Sequence, residues 1–266
     1  FMRLDGIRIR RCILRFDAHG LMFIDEILVR MTQLNIPPKK QFFLVFLAFV
    51  FLGMCFKVMV LVEGFTEIRP VNAVPVVAGL LFGPVGAWAC AFGNLAADCF
   101  GTLQPTSILG FLGNFLGAYL PYQMWHLYRK EAPNVHTIPN LLLYVWISFV
   151  ASLATVWVIA GGIWFLFGLH IENLALYIFL NDLVFPLIFG LPVFIVLTSD
   201  SVRISCAAGK GSRIAVPEGW KKRLVLAYVV LLVILFLIVL GGDPAHILLG
   251  QVLSIPVVLL SLLLVL

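Results

Sequence analysis

The sequence predicts an all-α protein: a polytopic membrane helical bundle with a six-segment core and two further C-terminal transmembrane helices. Three observations predict it. Hydrophobic residues make up 62% of the 266-residue chain and mean hydropathy is +1.08, more apolar side chain than a soluble core of this size can hide. The apolar residues fall in runs close to the ~20 that cross a bilayer as helix. The charged residues lie mostly between those runs.

Taken in order, residues 1–40 form a cytoplasmic, amphipathic N-terminal segment. Arg8, Arg10, Arg11 and Arg15 alternate with Ile7, Ile9, Ile13 and Leu14, a pattern suited to a membrane surface and equally to a short soluble cap or a disordered arm. Pro37-Pro38-Lys39-Lys40 closes it. The membrane core covers 41–198. Residues 41–62 read as the first span, with Lys57 near its far end and long enough to snorkel. A polar loop over 63–71 follows. Two short apolar pieces, 72–82 and 85–97, are separated by Gly83-Pro84. Each is short for a full crossing, so they read as tilted helices or a re-entrant pair, which needs protein or a cavity over its backbone. Residues 106–126, 140–167 and 174–198 are the remaining core spans. A basic cytoplasmic linker occupies 199–222. Residues 223–266 form the C-terminal helix pair, 223–240 and 246–266, joined at Gly241-Gly242-Asp243-Pro244.

Orientation follows from lysine and arginine. With the N-terminus in the cytoplasm, residues 1–40, 127–139 and 199–223 all fall inside. They hold eight, two and six basic residues, 16 of the 18 in the chain; only Lys57 and Arg69 remain. Glu63, Glu67, Asp98, Glu172 and Asp243 fall on the other face. A missed span would scramble this asymmetry. The expected setting is the plasma (bacterial inner) membrane.

This topology gathers polar residues toward one end of the bundle. Glu67, Arg69 and Asn72 precede the second segment. Asn94 and Asp98 are four apart and share a helix face. Asp182 lies nine residues inside its span, about 13 Å deep, where a carboxylate is costly unless it meets a cavity or a partner. Glu67, Arg69, Asn72, Asn94, Asp98 and Asp182 are therefore the candidate solute-binding residues. Arg69 suits an anionic or carbonyl group, the asparagines an amide-like edge, and the aspartates an N–H donor. Trp88, Trp164 and Tyr177 are candidates for stacking, although core filling or interfacial anchoring explains them better. Glu63, Thr102 and Asp243 read equally as caps or loop residues, and Asn114 as an interhelical hydrogen bond. Small residues at four-residue spacing (Ala89, Gly93, Ala97; Gly79, Gly83; Gly113, Gly117) predict close helix packing.

Other chemistries are not expected. Cys12, Cys55, Cys90, Cys99 and Cys206 are scattered and include no C-x-x-C pair, so neither a disulfide framework nor a zinc site is predicted. The five histidines do not cluster. Ala208-Gly209-Lys210-Gly211-Ser212 lacks P-loop spacing. No enzymatic activity and no cofactor or metal is expected. The net charge of +5 is explained by membrane topology, not by a nucleic-acid partner.

Arg69 ahead of a short apolar segment, then Leu81-Phe82-Gly83-Pro84-Val85-Gly86-Ala87, then Gly93-Asn94-Leu95 and the glycine-rich 110–117, carry a family resemblance. Residues 41–198 resemble the substrate-binding S-components of energy-coupling-factor transporters, in particular the queuosine-precursor and vitamin-uptake branch. The resemblance implies a six-helix subunit that binds a small vitamin-like solute from the extracytoplasmic side. It implies release by tilting against a transmembrane coupling subunit, powered by separate ATPase subunits. The first span lacks an Ala-x-x-x-Ala docking motif, and the linker and C-terminal pair lie outside the six-helix plan. A second reading of the same residues is a membrane sensor or scaffold module that signals through 199–223. A lipid-modifying enzyme would want paired acids or a histidine cluster near the inner face, and the sequence has neither.

Overall fold

A computed structural model describes residues 36–56, 60–62, 66–101, 103–169, 173–199, 202, 204 and 218–241, without the side chains of 60–62, 66, 67, 165, 218, 239 and 241. The expectations for residues 1–35, Lys57, Glu63, Thr102, Glu172, Asp243 and the span 246–266 lie outside the described residues.

The first helix, α1 (Pro38–Cys55), starts on a proline, whose fixed φ suits the first helical turn. Phe43, Leu44, Leu47 and Phe51 are exposed, while Val45, Phe49 and Gly53 face inward. The helix ends before the predicted 62. Val60–Val62 instead forms β1, paired antiparallel with β2 (Thr66–Glu67) through Val60 opposite Glu67 and Val62 opposite Thr66. The branched valines favour an extended backbone, and the hairpin pairs polar groups that the ended helix no longer satisfies.

A short 3-10 turn at Pro70–Asn72 leads into α2 (Ala73–Phe82). Gly83, at φ 56°, reverses the chain and donates its N–H to the Gly79 carbonyl at 2.8 Å. That left-handed φ favours glycine. Pro84 then opens α3 (Pro84–Asp98). The two short pieces predicted on either side of Gly83-Pro84 are thus two helices, and both pack on α4 (Ser107–Tyr128). Contact between α2 and α4 is close: a Cβ on Gly79 would lie 1.8 Å from the Ala118 carbonyl oxygen. Backbones approach this way only where a small residue allows it.

The next helix, α5 (Ile138–Val156), is capped by Thr137, whose hydroxyl accepts the Asn140 N–H at 3.4 Å. A wide π-helical turn, Trp157–Gly161, carries it into α6 (Gly162–Phe167). Similarly, α7 (Leu174–Phe185) passes through a π-helical turn at Pro186–Gly190 into α8 (Leu191–Thr198). Proline 186 has no N–H and its ring crowds the preceding turn, and a local widening lets the helix continue past it. The Tyr144 hydroxyl donates to the Pro186 carbonyl at 3.0 Å, fixing this turn against α5.

The last described helix, α9 (Glu218–Gly241), begins within the predicted linker. It buries Val225, Tyr228, Val229, Leu232 and Leu235 in the same core as Phe49, Leu80, Trp125, Tyr144 and Phe194. These positions repeat at three and four residues, one face of a helix.

Among the described residues, three helices are long and apolar enough to cross a membrane: Pro38–Cys55, Ile138–Trp164 and Leu174–Thr198, at 18, 27 and 25 residues. Pro70–Phe82 is apolar but shorter. Away from the site, the 127–139 loop is held by polar contacts. Arg129 Nε donates to Asn140 Oδ1 at 2.9 Å, and Asn140 Nδ2 donates to Glu131 Oε1 at 2.6 Å.

Candidate functional site

The residues leaving β2 fold back over the bundle, and the 3-10 turn packs against α1, α2 and α7. Proline 70 begins the turn, and the Asn72 N–H closes it on the Arg69 carbonyl at 2.9 Å. This places Arg69 and Asn72 between α3 and α7, two helices far apart in sequence.

Arg69 bridges them. Its guanidinium Nη2 donates to Asn94 Oδ1 on α3 at 3.0 Å, and its backbone N–H donates to Asn181 Oδ1 on α7 at 3.2 Å. Asn94 is fully buried and passes the chain of bonds on: its Nδ2 donates to Asp98 Oδ2, one helical turn further, at 3.3 Å. Asn94 needs room to sit there. Gly110 of α4 provides it, since a Cβ at that position would lie 2.8 Å from Asn94 Nδ2.

Next to Asn181, Asp182 accepts the Asn72 side-chain amide on Oδ1. Its other oxygen, Oδ2, is buried and has no hydrogen-bond partner among the described residues. Arg69 is the nearby cation that acts on this carboxylate. The guanidinium thus reaches Asp98 through Asn94, and acts on Asp182 through its charge.

Below the network lies a small cavity of about 10 Å³, room for the centre of roughly one water molecule. Its polar lining is Asn72, Asn114, Ser152, Thr155 and Asp182; Val76 and Ala151 contribute apolar walls. The floor comes from α4 and α5. The Thr155 hydroxyl donates to the Gly113 carbonyl at 3.4 Å, Ser152 to the Ser148 carbonyl at 2.8 Å, and Asn114 Nδ2 to the Gly110 carbonyl at 2.9 Å.

Of the six candidate residues, Arg69, Asn72, Asn94, Asp98 and Asp182 fall into this arrangement. Glu67 lies in β2, and its side chain is outside the described set. Of the stacking candidates, Trp88 is half-exposed and packs against Phe92 and Phe115 on the outer surface, away from the cavity. Neither Trp164 nor Tyr177 lines the cavity. Asn114 does, beside its intrahelical bond. Asn181, Ser152 and Thr155 are absent from the six candidates, although Asn181 adjoins Asp182 in the same apolar span. The signal for the last two is present in the sequence: Ser148, Ser152 and Thr155 recur at four and three residues, a hydroxyl stripe along one face of an apolar helix.

Among the described residues, no cluster of histidine, cysteine and acidic side chains is grouped to hold a metal ion. No protein-family model, curated protein or solved structure matches the chain.

Proposed function

We propose that this chain is the solute-binding integral membrane subunit of an uptake transporter of the S-component type, acting on a small polar or heteroaromatic solute. One observation carries the reading. Six polar residues from three separate parts of the sequence meet between apolar helices, with a buried carboxylate oxygen left without a donor among the described residues. Burying such groups costs stability unless they are paired, so a fold that only needed to anchor would be better off without them.

In this reading the N-terminus is cytoplasmic and the Arg69 end of the bundle faces outward, a placement that the distribution of basic residues supports. The solute presents a carbonyl or anionic edge to Arg69 and ring or amine N–H groups to Asp98 and Asp182. Pockets for drug-sized ligands span about 300–1,000 Å³, far more than the cavity described above. The solute therefore binds a more open arrangement, in which the β1–β2 hairpin and the 3-10 turn lift away from α7. Transport energy comes from separate ATPase subunits through a transmembrane coupling subunit, and the chain itself performs no covalent chemistry.

The test is a thermal-unfolding screen of the purified protein against vitamins, nucleobases and their precursors, followed by uptake measurements with any hit. A ligand of the native state raises Tm by mass action. The reading predicts a hit whose effect disappears in Arg69→Ala. It is rejected if a broad panel gives no shift and if Arg69→Ala leaves cellular uptake unchanged.

A further inference from the structure

The cavity beneath Asp182 has one unsatisfied atom on its wall. Asp182 Oδ2 is buried and has no hydrogen-bond partner among the described residues, while Oδ1 is held by Asn72. A buried carboxylate oxygen without a donor costs free energy. The hydroxyl protons around it are committed: Ser152 and Thr155 donate to the Ser148 and Gly113 carbonyls. Asn72 and Asn114 turn their amide nitrogens to Asp182 Oδ1 and the Gly110 carbonyl. Pro121, inside α4, offers no N–H to the carbonyl of Gly117, another lining residue. The wall is thus short of hydrogen-bond donors, and an occupant that supplies them is favoured.

Size limits that donor. A volume of about 10 Å³ holds one non-hydrogen atom. A ring N–H is flanked by two ring atoms and does not fit, whereas a terminal amino group does. It brings at least two N–H bonds, enough for Asp182 Oδ2 and one of the hydroxyl oxygens of Ser152 and Thr155. A neutral amino group and an ammonium group both meet this need. A terminal hydroxyl brings one donor. A terminal carbonyl brings none, and sets its lone pairs against those of Oδ2. Gly117 keeps the space open, since a Cβ there would lie 3.1 Å from Thr155 Oγ1.

We infer that this cavity is the subsite for a terminal amino group of the solute, with Asp182 Oδ2 as its acceptor. The chain then selects amino-bearing solutes over their oxo and hydroxy analogues. This rests on the reading that the polar network binds a solute, and it names the chemistry of one end of that solute. A site built to pair a donor rejects an analogue that lacks it, because its own buried acceptor is then left alone.

The experiment uses matched compounds: cytosine with uracil, adenine with hypoxanthine, and pyridoxamine with pyridoxine. Each pair exchanges an amino group for an oxo or hydroxy group at one position. Binding to the purified chain is read by thermal unfolding and by calorimetric titration. In any pair that binds, the wild type is expected to prefer the amino member by about tenfold or more. Gly117→Ala, which fills the cavity and keeps Asp182, loses that preference. Asp182→Asn, which puts an amide where Oδ2 stood, loses it or turns it toward the oxo member. Gly117→Ala and Thr155→Val carry the test if Asp182→Asn fails to fold. Glu131→Gln, in the loop after α4, keeps the wild-type preference. Equal binding of both members of a pair, or preference for the oxo member, overturns the inference and leaves the solute-binding reading standing. So does a preference that survives in both Gly117→Ala and Thr155→Val, because the amino group is then read elsewhere. No binding by any of the six compounds overturns the inference together with that reading. An amino compound that binds as expected but is not taken up by cells supports the subsite and removes the transport role.

Discussion

Asn72 donates its side-chain amide to the carboxylate of Asp182, 110 residues further along the chain. This bond ties the turn that follows the hairpin to the middle of an apolar helix. It leaves the second carboxylate oxygen for the cavity below.

The pair should behave as a buried polar unit. Removing one partner strands the other, whereas replacing both by apolar groups removes the stranded charge. Asn72→Leu alone is expected to cost about 1–3 kcal/mol of stability. The double variant Asn72→Leu/Asp182→Leu recovers most of that loss while remaining inactive. Thermal unfolding of the two singles and the double measures the coupling; equal additivity would show that the bond carries no weight.

Arg69 is expected to act through its planar fork as well as its charge. Its Nη2 reaches Asn94 on α3, and a lysine ammonium has neither the width nor the fixed geometry to hold that contact while meeting a solute. Arg69→Lys therefore weakens solute binding about as much as Arg69→Ala, by roughly tenfold or more. Its effect on Tm is smaller, because the backbone N–H bond to Asn181 is untouched. Full binding by Arg69→Lys would reduce the role of Arg69 to a point charge.

Gly79→Ala tests the contact between α2 and α4. The new Cβ meets the Ala118 carbonyl oxygen, a backbone atom that cannot turn aside. Overpacking of this kind costs about 1–3 kcal/mol, occasionally more. Gly219→Ala, at a position with no neighbour within 4 Å, is expected to leave Tm unchanged or slightly raised. A similar Tm for both variants would contradict the close crossing.

Orientation is open to a chemical probe. Cys99 is exposed just beyond the end of α3, whereas Cys90 in the same helix is buried. In a background lacking the other cysteines, a membrane-impermeant maleimide applied to intact cells should label Cys99. A cysteine introduced at Lys130, exposed in the 127–139 loop, should react only after permeabilisation. The reverse pattern would invert the proposed topology.

The sequence alone determined the helical class, the Gly83-Pro84 break and the span over Leu174–Thr198, because burial in an apolar medium writes itself as run length and punctuation. It also pointed to Arg69, Asn72, Asn94, Asp98 and Asp182, since a polar group in an apolar run needs a reason. It could not show that α1 stops at Cys55, because Val60-Leu61-Val62 is as apolar as a helix end; only pairing with β2 made it a strand. Nor could it say which polar groups meet. Hydropathy is a property of one segment at a time, while the bond from Asn72 to Asp182 depends on how segments cross. The tertiary structure decided that Ser152 and Thr155 share a cavity with Asp182, that Trp88 lies outside it, and that α9 packs into the common core. Those outcomes rest on side-chain volume and backbone approach between helices, which no single stretch of the chain encodes.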